Sequence, residues 1–101
     1  MATPTKAPTK PRGETAGPES GLGRPWLVIV RNDNHNTFDG VAFALARSVP
    51  GVSFERGLEL ANRIHTTGRA VVWSGHRERA ELIWEELAGF GLTMAPLTPA
   101  A

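Results

Sequence analysis

Six short polar side chains stand in a row in the segment "VIVRNDNHNTF": Asn32, Asp33, Asn34, His35, Asn36 and Thr37. Asn32 and Asn34 offer carbonyl acceptors and Asp33 a carboxylate; His65, farther along the chain, offers one ring-nitrogen acceptor when neutral. Acceptors converging from two segments suit a small cation with several donors. An α-ammonium group is such a cation, and its charge-assisted bonds to a carboxylate are of the strong kind. Apolar residues flank the cluster: Val30 before it, Phe38 and Val41 after it, and Ile64 beside His65. Polar acceptors at the mouth of an apolar pocket would recognise a free amine that carries a large hydrophobic side chain, as a peptide N-terminus does. The same residue types also make an ordinary turn and helix cap between a strand and a helix, and a lone His on a helix is often a packing residue. Asp33, His35 and His65 could be read as metal ligands, although no ligand spacing supports it. The chemistry alone leaves these readings open.

The elements that must position these groups follow from the apolar pattern. "PWLVIVR", residues 25–31, is short, apolar and β-branched and predicts a strand. From Thr37 the period changes: Phe38, Val41, Ala42, Leu45 and Val49 fall on one helical face, with Thr37 as N-cap and Asp39 in the first turn. Gly40 there weakens the helix and leaves room for something close by. Pro50-Gly51 ends this helix. Ser53 caps a second one, whose inward face is read as Phe54, Leu58, Ala61, Ile64 and His65 and whose end is Gly68. "RAVVWS" is the second strand. Ala80, Ile83, Trp84, Leu87 and Ala88 mark a third helix, and "LTMAPL", residues 92–97, a third strand stopped or edged by Pro96. The class is α+β: a compact β-α-α-β-α-β domain, with a three-stranded antiparallel sheet and three helices on one face. Residues 25–97 form the core. Residues 1–24, with four prolines, four glycines and no aromatic residue, are expected to be a disordered tail, and residues 98–101 to fray.

Composition narrows the function classes. The chain has 101 residues and a net charge of +1 from 11 basic and 10 acidic side chains, which gives no large attraction for nucleic acid or membrane. Cysteine is absent, so there is neither a disulfide nor a thiolate zinc site. No apolar run is long enough to span a bilayer, and the N-terminal residues lack a signal-peptide core. A cytoplasmic monomer without cofactor or metal is expected. Nucleophile-elbow, phosphate-loop and H-E-x-x-H motifs are missing, and an enzyme would have only Asp33 to pair with His65.

The segments "VIVRNDNHNTFDGVAFAL", "ANRIHTTGRAVVW" and "RERAELIWEEL", in that order, resemble the ClpS family, adaptors of the bacterial Clp protease. The family hallmarks are an N-D-D/N signature after the first strand and a V/I-H-x-x-G-x-A segment closing the second helix. They stand here as Asn32-Asp33-Asn34 and as Ile64 to Ala70. The resemblance implies a non-enzymatic adaptor for N-degrons, substrates beginning with Leu, Phe, Tyr or Trp, which it delivers to the N-terminal domain of a Clp ATPase of the ClpA or ClpC type. It makes Asn32, Asp33 and His65 the α-amine ligands and places Asn34 and Asn36 at the rim. Val30, Phe38, Val41, Ala61, Ile64 and Leu92 fall at positions that line the side-chain pocket, and Glu78 at an ATPase-docking position. Phe38 and Ala61 stand where many members have methionine, and Ile83 where the docking surface has lysine. A second reading, a ribosome-associated structural module, rests on a similar fold in the C-terminal domain of the ribosomal stalk protein and gives the polar cluster no role.

Overall fold

A computed structural model describes residues 24–101. The tail expected over residues 1–24 lies outside them, Arg24 excepted. The elements run β1 (Trp26–Arg31), α1 (Phe38–Ser48), α2 (Phe54–Thr67), β2 (Arg69–Gly75), α3 (Arg77–Gly89), β3 (Thr93–Met94) and β4 (Thr98–Pro99). The structure is thus α+β, with three helices and an antiparallel sheet in the expected order.

β1 is the central strand. β2 pairs along one edge of it, and β3 and β4 share the other. Trp26, Val28 and Val30 of β1 and Ala70 and Val72 of β2 are buried in the core, while Arg31, Arg69 and Val71 are exposed. This is the alternation of a sheet with one face covered by helices.

The far edge differs from expectation. Of the strand predicted over residues 92–97 only Thr93–Met94 forms, and a further short strand, Thr98–Pro99, follows it. Pro96 cannot donate to the ladder, so the pairing breaks around it and resumes at Thr98 opposite Leu27. Residues 98–101 were expected to fray, but Thr98 and Pro99 pair with β1, and the Ala100 N–H donates to the Pro25 carbonyl at 2.8 Å. Burial of Leu97 anchors this return.

Local signals set the helix ends. The Thr37 hydroxyl accepts the Gly40 N–H at 2.9 Å, and the Ser53 hydroxyl accepts the Arg56 N–H at 3.0 Å. Gly68 closes α2 in the left-handed region, at φ 96°, where a side chain would be strained. A Cβ on Gly40 would meet only the Thr37 hydroxyl, so the small residue there serves the cap.

α1 and α2 pack at Gly57. A Cβ on that residue would stand 2.8 Å from the Ala42 carbonyl oxygen and 2.9 Å from the Ala42 Cα. The helices therefore approach backbone to backbone. The buried face of α2 is Gly57, Leu60, Ala61 and Ile64. Phe54 and His65, expected inward, are exposed; Leu60 takes the place in the core. α3 buries Ala80, Ile83, Trp84 and Leu87, and the Trp84 indole N–H donates to the Ala95 carbonyl at 2.7 Å.

Candidate functional site

The loop between β1 and α1 is tied at both ends. At its start, the Asn32 N–H donates to the Gly68 carbonyl at 2.9 Å. Gly68 is the cap of α2, so this bond sets Asn32 beside the turn that carries His65. At its end, Thr37 starts α1, and the spacing from there turns Val41 inward while Phe38 stays at the surface.

Asp33 organises the span between. One carboxylate oxygen accepts the Asn36 N–H at 2.9 Å and the His35 N–H at 3.1 Å. The other accepts the Asn36 side-chain amide and the Thr93 hydroxyl, both at 2.8 Å. The Asn36 amide also donates to the Gly91 carbonyl at 3.0 Å. Asp33, only 13% exposed, thus braces the loop to β3, and Asn36 ties it on to the turn after α3. A carboxylate has about four acceptor positions, and four donors from within the chain occupy them. Asp33, expected as an α-amine ligand, borders the cavity with these four bonds in place. Sequence gave no signal for Thr93, which reaches Asp33 from a strand at the other end of the described chain.

Burial pushes the Asp33 carboxyl up, but the bonds from the Asn36 side chain and backbone, the Thr93 hydroxyl and the His35 N–H together outweigh it. They hold the group well below the ordinary carboxylate range. A carboxyl more acidic in the folded state stabilises the fold above its unfolded value near 3.8 and loses that contribution as pH falls further. Wild type and Asp33→Asn should therefore differ by a constant amount in urea denaturation above about pH 5 and draw together progressively only as pH falls below the unfolded value near 3.8. A difference that stays constant into acid would show that ionisation of Asp33 does not stabilise the loop.

The predicted residues border one cavity of about 360 Å³. Asn32, Asp33, Asn34 and Asn36 contribute from the loop, Phe38 and Val41 from α1, Ala61, Ile64 and His65 from α2, Val30 from β1, and Leu92 from the turn after α3. Arg31 and Thr37 border it as well and were not anticipated. Val30, Val41, Ala61, Ile64 and Leu92 are buried and form an apolar floor. The polar residues lie at the mouth, where Asn32, Asn34 and His65 are exposed. The Phe38 and His65 rings meet edge to face across the two helices, with centroids 5.4 Å apart and planes at 65°. Ala61 is the smallest side chain of the floor.

Glu78 is not part of this cavity. It is exposed on the first turn of α3, whereas Ile83 is 3% exposed and packs in the core. Among the described residues, no three His, Cys, Asp or Glu side chains gather to hold a metal, and no helix is long and apolar enough to cross a membrane.

Comparison with known proteins gives one result. The family described as ATP-dependent Clp protease adaptor protein ClpS matches residues 23–95. A ClpS adapter protein of Thermosynechococcus vestitus is 50% identical over 74 residues, covering 73% of this chain and 79% of the relative. That of Synechocystis is 48% identical over 73 residues, covering 72% and 74%. That of Streptomyces coelicolor is 38% identical over 68 residues, covering 67% and 70%. Among solved structures, Agrobacterium tumefaciens ClpS2 bound to L-phenylalaninamide superposes with a TM-score of 0.67 at 25% identity, covering 76% of this chain and 98% of that one. An acceptor-rimmed apolar cavity on a β-α-α-β-α-β core, matched by relatives along nearly all of that core, makes this chain a member of the ClpS family of Clp protease adaptor proteins.

Proposed function

We propose that this chain captures polypeptides by a free N-terminal amine and a bulky first side chain, Leu, Phe, Tyr or Trp, and delivers them to a Clp ATPase. One observation carries the reading: exposed acceptors and a buried apolar floor border the same cavity. The ammonium sits at the mouth, where the Asn32 and Asn34 carbonyls and the His65 ring nitrogen accept its three N–H donors. Asp33 keeps the loop in shape and places a negative charge behind those acceptors. The side chain enters between Phe38 and Ala61 toward Val41, Ile64 and Leu92. Phenylalaninamide, the compound bound to the Agrobacterium relative, has a free α-amine and a phenyl side chain and so matches both halves of the cavity. The role is binding, without covalent chemistry. Docking to the ATPase falls to the exposed face around Glu78, without help from Ile83.

Fluorescence anisotropy on peptides differing only in residue one tests this. Leu, Phe and Trp peptides should bind with micromolar affinity, about −8 kcal/mol. Acetyl-Phe should bind about 100-fold more weakly or not at all, because acetylation removes the charge and leaves desolvated acceptors unpaired. Equal binding to all peptides, or to none, would overturn the proposal. Co-purification with the N-terminal domains of ClpA- and ClpC-type ATPases tests the delivery step.

A further inference from the structure

We propose that the site reads a second feature of its ligand, an acidic side chain at the second or third residue, through Arg31 and Arg69. This rests on the reading above, in which the first residue is anchored in the cavity.

Arg31 closes β1 and Arg69 opens β2, and the antiparallel register sets them directly opposite one another. Both are exposed. Like charges at directly opposed positions work against a strand pair. Neither is neutralised nearby: among the described residues the ion pairs join His35 to Asp33, Arg56 to Glu59 and Arg77 to Glu81. Two arginine side chains thus leave directly paired strand positions, and neither has a carboxylate partner among the described residues. An anion between them would relieve the repulsion and gain a forked, charge-assisted contact.

Their place in the fold says which anion. Arg31 borders the cavity and directly precedes Asn32. Arg69 directly follows Gly68, whose carbonyl accepts the Asn32 N–H at 2.9 Å. The arginines and the proposed amine acceptors therefore meet at one hydrogen-bonded corner. An extended peptide advances about 3.3–3.6 Å per residue, so the residues after the anchored one pass within the span of an arginine side chain. Asp33, the carboxylate next along the loop, already accepts four bonds from the chain and is held away from this duty. A carboxylate supplied by the ligand is the partner that this corner fits.

Anisotropy with Phe-Ser-Ser, Phe-Glu-Ser, Phe-Ser-Glu and Phe-Lys-Ser peptides, otherwise identical, provides the test. At low salt at least one glutamate peptide should bind about 5- to 10-fold tighter than Phe-Ser-Ser, and the lysine peptide more weakly. The preference should shrink in high salt, as screening requires. In Arg31→Gln/Arg69→Gln the four affinities should converge to within about twofold. Thermal unfolding of that variant should be unchanged or raised, since it removes the opposed charges. If Phe-Ser-Ser binds and neither glutamate peptide binds tighter, this proposal fails by itself. If Phe-Ser-Ser does not bind, the N-terminal capture reading fails and takes this one with it.

Discussion

Asp33→Ala should weaken binding of a Phe-initiated peptide by about 100-fold while the domain still unfolds cooperatively. The side chain has the work of a keystone. Without it, the His35 and Asn36 N–H groups, the Asn36 amide and the Thr93 hydroxyl all lose the same acceptor. The loop would then be held only by the Asn32 bond to Gly68, the Asn36 bond to Gly91 and the Thr37 cap. Asn34, between these anchors, would lose its fixed position at the mouth of the cavity. The negative charge behind the proposed ammonium would go as well. The cost to global stability should be smaller, about 1–3 kcal/mol, because water can reach part of the freed donors. Anisotropy and thermal circular dichroism on the same preparation separate the two effects. Thr93→Val removes one of the four donors and should give an intermediate loss, about 3- to 10-fold. Affinity within about threefold of wild type in Asp33→Ala would show that the loop holds its shape without the carboxylate.

Gly57→Ala should lower the unfolding free energy by about 2–4 kcal/mol and reduce peptide affinity with it. On propensity alone the change would help, since glycine costs a helix interior roughly 0.5–1 kcal/mol relative to alanine. The packing decides the sign. The new methyl would meet the Ala42 backbone, which cannot swing aside as a long side chain can. α1 and α2 would have to separate, and Val41 and Ala61, on the two sides of that contact, form part of the cavity floor. A shift of a few tenths of an ångström there also disturbs the Phe38–His65 contact. Urea denaturation gives the stability change, and anisotropy at a temperature where the variant is folded gives the affinity. A stabilised Gly57→Ala variant would mean that the two helices slide apart without penalty.

Much of the frame is visible in single residues. Thr37, Ser53 and Gly68 end their helices by mechanisms that each residue type carries with it, and the face of α3 repeats cleanly. Val30, Phe38, Val41 and Ile64 were legible because they flank the polar residues in the chain, whereas Ala61 and Leu92 were implied only by the family resemblance. The wiring of the cavity was not legible. A carboxylate in a loop can point outward to a ligand or inward to its own turn, and only Thr93, brought in by the last part of the sheet, settles that Asp33 turns inward. The helix period likewise shows which residues share a side of α2 without showing what covers them. Phe54 and His65 follow the apolar stripe, yet both are exposed, while Leu60 packs in the core. Pairing of Thr98 and Pro99 with β1 depends on a carbonyl at Pro25 that no local pattern announces.

The place of β1 has a mechanical consequence. The chain ahead of Trp26 runs straight into the one strand that is bonded on both edges, to β2 on one side and to β3 and β4 on the other. A force applied to the N-terminal segment therefore loads those ladders in shear rather than peeling them one bond at a time. Rupture would require many hydrogen bonds to yield together, and β1 would have to slide with Trp26, Val28 and Val30 still buried in the core. Tension from the N-terminal side would meet, among the described residues, the strand paired on both edges before any other element.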